Sequence, residues 1–381
     1  MKIVYCVNNA GHVGGIPKVL AIKANALVEK YGHEIYIVES DHRNFLPESA
    51  VFSSAIHFVD LDIHYDRLPP SSLFNPFGAY QRARRLHRRR LKDFLKSISP
   101  DIVISLGSED KSFIASIPGC WKTVREFHWT TTVRNMLYGY LSPKNRIIAR
   151  LADFVETYFV LRKFDRVVLL SELEKKQYWS GDKNICVIPN PQTFQSDIGA
   201  ELKNKKLISI GRLEQQKNYG ALLRIFSIVN RHFPDWKLEI YGDGPERAKL
   251  ERMIEEFGLV GAVELKGNTA HIKEALLEAS CFVLSSHWEG MPLVIIEAMT
   301  CGLPIVSYDC PSGPGDLIED GVSGYLIPVG DEAAFASRIM ELIQDEDLRM
   351  KLGTGARMRS DYYSQDRIMM LWQQFFEDLN N

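Results

Sequence analysis

The sequence predicts two α/β domains, each built on a parallel sheet. In the first half, a buried strand over residues 2–7 leads through a glycine-containing loop into a helix over residues 18–30. The same order restarts with a strand over residues 206–211, which is followed by another helix. The polar stretch 192–204 between the halves has the composition of a linker. Strands that alternate with helices favour parallel pairing, so we place the domain boundary where this linker begins.

The bulk composition is that of a globular protein. The chain has 381 residues, of which 45% are hydrophobic and 25% charged. No apolar run reaches the roughly 18–20 residues that span a bilayer, and the opening residues 1–7 show no cleavable signal pattern. The six cysteines are scattered without a Cys-x-x-Cys pair. We therefore expect a cytoplasmic protein with reduced thiols, without a zinc site or a disulfide framework.

The stretch around Glu289 organises the second half. An apolar run that ends at Ser285 predicts a strand, and the loop after it contains Glu289. Pro292 is placed to open a helix and Gly302 to follow its end, which is the usual asymmetry of these two residues. The order is therefore strand, loop and helix, with one carboxylate in the loop and a second, Glu297, inside the helix.

This arrangement suits a sugar joined to a nucleotide by a diphosphate. Helical side chains tilt toward the N-terminus, so we expect Glu297 to lean back toward Glu289. The unpaired backbone N–H groups near Leu293 and Val294 suit an anion. The two carboxylates would then accept hydrogen bonds from hydroxyl groups of the ligand on either side of a phosphate site. The plainer interpretation is a core helix with two solvated glutamates.

The stretch Glu289-Gly-Met-Pro-Leu-Val-Ile-Ile-Glu297 resembles the signature of family 4 of the retaining glycosyltransferases. Its two glutamates are separated by seven residues, and the insert Gly290, Met291 and Pro292 follows the first of them. In that family the first glutamate holds hydroxyls of the donor sugar and the second holds the ribose. The resemblance assigns these roles to Glu289 and Glu297.

The resemblance also implies an architecture. It is the one called GT-B, in which two Rossmann-like domains with parallel sheets face each other across a cleft. Residues 1–191 would bind the acceptor and residues 192–362 the nucleotide-sugar donor. The last helix, within residues 363–381, would pack back onto the first domain.

Other loops of the second half match the same family. Arg212 and Lys217 are five residues apart in the loop after strand 206–211, and such a pair suits two phosphates because arginine forks to paired oxygens and lysine acts as a point charge. In the family this pair neutralises the leaving group. The loop at Gly242 is expected under the nucleotide, and the resemblance places Gly267-Asn268 beside the base. Surface charge at a helix start is the plainer interpretation of the cations.

Two features of the first half complete the site. The adjacent pair Gly14-Gly15 follows the first strand without the G-x-G-x-x-G spacing of dinucleotide-binding loops. In the resembled family this loop lets backbone approach the donor diphosphate. His128 follows a strand over residues 123–128, where the family has a histidine that touches the donor sugar, and Trp129 is placed to wall the pocket. A tight turn and a structural histidine are the alternatives.

We expect no metal and no cofactor. Asp60-Leu-Asp62 spells a D-x-D, but this motif is short and lacks a glycine-phosphate context. It lies in the polar, proline-punctuated segment 41–75, which predicts loops. With two cations and a helix N-terminus at the leaving group, the implied reaction needs no metal ion.

Charge is divided unevenly along the chain. The first 198 residues hold 27 basic and 20 acidic residues, whereas the remainder holds 19 and 28, for a total of −2. A helix over residues 81–96 contributes a dense basic run from Arg82 to Lys92. A solvated helix face is the plainer interpretation, and a surface for anionic lipid or a lipid-linked phosphate is the functional one. Nucleic acid is disfavoured because no aromatic residues accompany the arginines.

The implied activity is the retaining transfer of a hexose or N-acetylhexosamine. The donor is a nucleotide-sugar, and the acceptor is a hydroxyl of a glycan or polyprenyl-linked glycan in polysaccharide biosynthesis, such as that of capsule or lipopolysaccharide. The Cys310-Pro-x-Gly-Pro314 loop is similar to that of bacterial cell-surface polysaccharide enzymes, which implies UDP, although Asp316 stands where these often have glutamate. A peripheral place on the inner face of the membrane would follow.

Three alternatives remain at this point. They are a nucleotide-sugar epimerase or hydrolase of the same fold, an NAD-dependent Rossmann enzyme, and a binding module without turnover. The absent G-x-G-x-x-G counts against NAD.

Overall fold

The fold is that of a computed structural model, which describes residues 1–11, 14–41, 51–68, 78–107, 109–128 and 143–380. Within these ranges the chain forms two parallel sheets. Each sheet has a buried apolar cluster on either face. Burial on both faces explains why the strands read as continuous apolar runs rather than alternating ones.

The first sheet has seven described strands in the order β3-β2-β1-β4-β5-β6-β7, all parallel. These are β1 (Lys2–Val7), β2 (Glu34–Glu39), β3 (His57–Asp60), β4 (Ile102–Ser105), β5 (Lys122–Glu126), β6 (Arg166–Leu169) and β7 (Ile185–Val187). The described helices of this half are α1 (Gly15–Glu29), α2 (Ala79–Ile98), α3 (Pro143–Val155) and α4 (Glu172–Tyr178).

The second sheet has six described strands in the order β10-β9-β8-β11-β12-β13, again all parallel. These are β8 (Lys206–Ile210), β9 (Lys237–Tyr241), β10 (Val263–Gly267), β11 (Cys281–Leu284), β12 (Ile305–Tyr308) and β13 (Gly324–Ile327). The helices are α5 (Tyr219–His232), α6 (Arg247–Glu256), α7 (Ile272–Leu277), α8 (Leu293–Thr300), α9 (Pro314–Leu317), α10 (Glu332–Gln344), α11 (Glu346–Ser360) and α12 (Gln365–Asn380).

Each sheet has a point where the strand order reverses. In the first it lies between β1 and β4, and in the second between β8 and β11. Helices leave such neighbouring strands in opposite directions, so a crevice opens at the carboxyl ends of the strands, where α/β proteins bind ligands. The loops after β1, β8 and β11 therefore place the predicted site.

The last helix, α12, packs on the first sheet although it follows the second in the chain. Its residues Met369, Trp372 and Phe376 are almost fully buried in the same cluster as Tyr5 of β1. The cluster also contains Leu20 of α1. The final helix therefore supplies part of the core of the first half.

One segment differs from the sequence-based expectation. We predicted only loops for residues 41–75, but β3 pairs with β2 at the sheet edge. Its sequence, His-Phe-Val-Asp, is short and mostly exposed, so it lacks the apolar run that marks inner strands. The sequence also favours helices over residues 134–164, and the described part agrees. The part that is described is α3 followed by a π-helix over Glu156–Val160, and residues 134–142 lie outside the described ranges.

No helix in the described part of the chain is both long enough and apolar enough to cross a bilayer.

Candidate active site

A buried ion pair joins the loops after β8 and β11. Nζ of Lys217 lies 2.6 Å from Oε1 of Glu289, and both side chains are largely withdrawn from solvent. The hydroxyl of Ser286 donates to the same carboxylate oxygen at 2.6 Å. Gln216, in the short 3₁₀ turn that carries Lys217, donates to the carbonyl of Trp288 at 2.9 Å. The two loops are thus tied to each other at the switch point of the second sheet.

Arg212 lies apart from this pair. Its side chain is 64% exposed, and its guanidinium is 3.1 Å from Glu214. The 3₁₀ turn between the two cations directs Lys217 inward and leaves Arg212 on the surface. The two predicted clamp residues therefore differ in exposure and in partner, with Lys217 paired to Glu289 and Arg212 to Glu214.

The N-termini of α1 and α8 meet at the site. A Cβ atom built on Gly15, the first residue of α1, would lie 2.9 Å from Cδ1 of Leu293, the first residue of α8. Gly14 is the N-cap of α1. Pro292 is the N-cap of α8 and not, as we had predicted, its first helical residue, because the helix begins at Leu293. Both ends present backbone N–H groups and positive helix dipoles, which favour an anion.

Glu297 does not reach Glu289 in this structure. Its carboxylate accepts hydrogen bonds from Lys18 of α1 at 2.8 Å and from the hydroxyl of Thr193 at 2.5 Å. Because Lys18 belongs to the first half, Glu297 bridges the two halves of the chain. Val294, one turn earlier in α8, is only partly buried.

The remaining predicted donor loops lie side by side along the second sheet. A Cβ on Gly242 (φ +136°) would lie 2.0 Å from the carbonyl oxygen of Gly211, so only glycine lets the loops after β8 and β9 touch. The N–H of Gly242 donates to the carbonyl of Gly267 at 2.8 Å. Asn268 follows and is exposed.

His128 follows β5 and lies beside the glutamate loop. A Cβ on Gly290 would be 3.0 Å from the carbonyl oxygen of His128. The ring Nε2 is 3.1 Å from Oε1 of Glu126, whose other partner is the ammonium of Lys23 at 2.5 Å. Trp129, the predicted pocket wall, lies outside the described residues.

Burial and mutual attraction both shift the pKa values of the buried pair behind His128. Burial would raise the pKa of Glu126, but Lys23 and His128 together lower it to about 2. Burial lowers the pKa of Lys23, and the Glu126 carboxylate opposes that effect. We had not singled out Glu126 or Lys23. A lysine on the apolar side of α1 and a glutamate two residues before His128 were the available signals.

Asp316 acquires a structural role. Its carboxylate accepts a hydrogen bond from the hydroxyl of Ser171 and one from the N–H of Leu173 at 3.3 Å. Ser171 is the N-cap of α4 in the first half and itself accepts from the N–H of Glu174 at 3.0 Å. Asp316 therefore helps to fasten the Cys310–Pro314 loop to the first half.

The D-x-D segment does not gather metal ligands. Asp62 is 2.8 Å from Nε2 of His64 and 3.4 Å from Arg90. In the described ranges of the chain, no group of three or more His, Cys, Asp or Glu side chains has the geometry of a metal site. The absence of a metal requirement stays a prediction.

Two family models match the chain. The model described as Glycosyltransferase Family 4 matches residues 13–191, and the model described as Glycosyl transferases group 1 matches residues 191–359.

The chain is also similar to curated glycosyltransferases. An uncharacterized glycosyltransferase of Haemophilus influenzae is 26% identical over 98% of this chain and 99% of its own length. The amylovoran biosynthesis glycosyltransferase AmsD of Erwinia amylovora is 32% identical over 55% of this chain and 61% of its own. An N-acetyl-D-galactosaminyltransferase of Campylobacter jejuni, whose name includes an undecaprenol-linked glycan, is 25% identical over 100% of this chain and 99% of its own.

Solved structures share the fold. Sucrose-phosphate synthase from Thermosynechococcus elongatus matches with a TM-score of 0.79 at 17% identity, covering 100% of this chain and 99% of that one. The pneumococcal O-GlcNAc transferase GtfA, in complex with UDP and GlcNAc, matches with a TM-score of 0.74 at 15% identity, with the same coverage.

Proposed function

The chain belongs to glycosyltransferase family 4 and has the GT-B fold, and from this premise we propose how it acts in cell-surface polysaccharide biosynthesis. The proposed reaction moves a hexose or an N-acetylhexosamine from a UDP-sugar to a hydroxyl of a glycan or lipid-linked acceptor. The anomeric configuration of the sugar is retained. Two similar proteins support this choice. The name of the Campylobacter jejuni relative includes an undecaprenol-linked glycan, and the pneumococcal GtfA structure is a complex with UDP and GlcNAc.

One observation carries the donor assignment: cationic and amide groups converge beside a buried carboxylate. Lys217 and the N-termini of α1 and α8 supply positive potential. Glu289 adjoins them and can accept hydroxyl groups of a sugar. A nucleoside diphosphate-sugar matches this order of charges, with its diphosphate at the helix ends and its sugar at the carboxylate.

The proposed mechanism rests mainly on stabilisation of the leaving group. As the bond from the anomeric carbon to the diphosphate oxygen breaks, negative charge grows on the diphosphate, where Lys217 and the two helix ends lie. Arg212 would join them by turning from Glu214. The acceptor hydroxyl attacks from the same face, and its proton passes to the departing oxygen. Glu289 and His128 hold the sugar during this exchange.

A nucleotide screen tests the donor. UDP and UDP-sugars are expected to raise the thermal unfolding midpoint, whereas GDP- and ADP-linked sugars raise it less. A ligand at about 100 times its Kd adds about 2.7 kcal/mol to the free energy of unfolding. Differential scanning fluorimetry measures the shift, and product analysis with the stabilising donor then shows the anomeric configuration of the new bond.

The same screen can refute the assignment. NAD serves as the control ligand, since the loop at Gly14-Gly15 lacks the dinucleotide spacing. Stabilisation by GDP-sugars alone would overturn UDP as the base. Release of free sugar without a glycosidic product, in the presence of a range of acceptors, would favour a hydrolase.

We also propose that the first half binds an anionic membrane surface. The predicted basic run lies on α2, but part of it serves the fold: Arg84 and Arg88 bond to Ser112 and Ser116. Arg89 is exposed. The basic helix alone therefore offers less charge than its sequence suggests.

An apolar surface is linked to this helix through residues 111–116, and its exposure is not evident from the sequence. Large apolar side chains project into solvent from α3 and the π-helix after it: Ile147, Ile148, Leu151, Phe154, Val155 and Phe159. Exposed Arg150, Arg162 and Lys163 accompany them. The π-helix is joined to residues 111–116, which contact α2, because Lys111 forms an ion pair with Glu156 at 2.7 Å. Apolar side chains edged by cations favour the headgroup region of an anionic bilayer.

Vesicle binding tests this surface. The protein is expected to sediment with vesicles containing phosphatidylglycerol and to do so less with pure phosphatidylcholine. The double change Leu151→Glu/Phe154→Glu should weaken binding more than about 10-fold, because burial of each such side chain contributes about 1.5–3 kcal/mol.

A matched pair of exposed apolar residues is the control. Ile198 and Val260 are also exposed but lie outside α3, so Ile198→Glu/Val260→Glu should leave vesicle binding unchanged. Equal losses in both variants, or no loss in either, would show that α3 is not the membrane surface.

A further inference from the structure

His128 lies in a cluster of buried ionisable side chains. Nζ of Lys23 lies 2.5 Å from Oε1 of Glu126, and Nε2 of His128 lies 3.1 Å from the same oxygen. Their side chains are 1%, 1% and 5% exposed. Charges withdrawn from water interact strongly, so the carboxylate of Glu126 attracts the N–H of the His128 ring more strongly than it would in water.

Aromatic side chains surround the ammonium of Lys23. The ammonium of Lys23 lies 4.3 Å from the ring centre of Trp372 and 5.5 Å from that of Tyr5. Such rings stabilise a desolvated cation by their negative faces. Trp372 belongs to α12, so this helix completes the surroundings of Lys23.

The alignment between His128 and Glu126 is incomplete in this structure. Among the described residues, Nε2 of His128 and Oε2 of Glu126 have no well-aligned hydrogen-bond partner, and both atoms are buried. A buried carboxylate oxygen without a partner is costly. A small rotation of the ring would align Nε2–H with the carboxylate, and a sugar bound at the other ring nitrogen would favour that rotation.

We propose that Glu126, kept ionised by Lys23, is a positioning residue that holds the proton of His128 on Nε2. The hydrogen bond at one ring nitrogen decides the state of the other. With Nε2 donating to Glu126, Nδ1 remains an acceptor and can receive a hydroxyl proton of the sugar in a hydrogen bond. The catalytic part of this inference rests on the proposed function.

Histidine ring signals test the inference without any substrate. In the full chain labelled with ¹⁵N-histidine, two-bond ¹H–¹⁵N spectra distinguish the two neutral tautomers, and His128→Gln assigns the signal. We expect the Nε2–H form in the native protein. In Glu126→Gln, the loss of the carboxylate charge should give a mixture of the two tautomers.

Two further variants keep the test interpretable if Glu126→Gln folds poorly. Lys23→Met/Glu126→Gln removes both charges, which buried sites often tolerate better than one unpaired charge. Glu239→Gln is the matched control, because Glu239 is also a mostly buried carboxylate beside a lysine, with Lys206 at 3.2 Å, but lies in the second sheet. It should leave the His128 signals unchanged.

Transfer kinetics give the second readout. Loss of the positioning carboxylate should lower kcat about 10- to 100-fold, as for carboxylates that orient metal-bound histidines, while the Kd for UDP stays the same. A native Nδ1–H tautomer, or an Nε2–H tautomer that persists in both Glu126 variants, would overturn the inference. Failure of the chain to bind UDP would instead refute the proposed donor and leave the tautomer result standing.

Discussion

Lys217→Met is expected to lower the turnover of sugar transfer about 100- to 1,000-fold, corresponding to about 2.7–4 kcal/mol in the barrier. The ammonium is the buried cation at the proposed diphosphate site, and methionine keeps the length of the side chain without its charge. UDP should bind more weakly as well, since Lys217 would contact the diphosphate before and after the bond breaks. Steady-state kinetics and calorimetric titration with UDP measure the two losses.

A second lysine serves as the control for this variant. Lys249 also pairs with a glutamate of the second half, Glu246 at 2.8 Å, but on the exposed side of α6. Lys249→Met should retain transfer. Arg212→Met tests the other half of the predicted clamp, and near-full activity in both Lys217→Met and Arg212→Met would contradict leaving-group stabilisation by these cations.

Glu289→Gln is expected to separate donor binding from transfer. The amide keeps the shape of the side chain but loses the charge that grips the sugar hydroxyls, which should lower turnover about 10- to 150-fold at about 1.5–3 kcal/mol for a hydrogen bond to a charged group. Lys217 would no longer be neutralised by its partner. UDP should therefore bind as tightly as before or more tightly, as calorimetry would show.

The contrast with the lysine variant makes this test specific. General damage to the site would weaken UDP binding in both variants, whereas the proposed roles weaken it only in Lys217→Met. A Glu289→Gln enzyme with normal kcat, or one that has lost UDP binding, would remove Glu289 from its assigned role. The melting temperature of each variant shows whether the fold has survived.

The sequence predicted well those elements whose signals are local. Apolar runs located the strands at residues 2–7, 123–128 and 206–211 and the one before Ser285, which the structure describes as β1, β5, β8 and β11, whereas β3 escaped because an edge strand needs no continuous apolar run. The helix at Glu297 was found from Pro292 and Gly302, and Gly302 does follow its end with a φ of +73°. Backbone chemistry of this kind is readable without tertiary information.

Side-chain pairing was less accessible. The loop motif indicated Lys217 and Arg212 together, but a single 3₁₀ turn sends one inward and the other to solvent. The partners of Glu297 come from 279 residues earlier, at Lys18, and 104 residues earlier, at Thr193. No spacing rule covers such separations, so ion pairs between the halves appear only once the fold is known.

The exposed apolar side chains of α3 illustrate a related limit. Residues such as Leu151 and Phe154 have the pattern of an ordinary core-facing helix, and only the structure shows that their side chains meet solvent. Periodicity reports that a helix has an apolar side, but not what covers it.

The return of α12 to the first sheet constrains the order in which the protein can mature on the ribosome. Residues 2–187 are synthesised before α12, so Tyr5 and Lys23 lack their covering Trp372 until α12 has left the exit tunnel. While the second half is being synthesised, the apolar cluster of the first half lacks the side chains that α12 contributes to it. Chains that stop before residue 365 would leave this cluster uncovered and are expected to aggregate, however complete their second half.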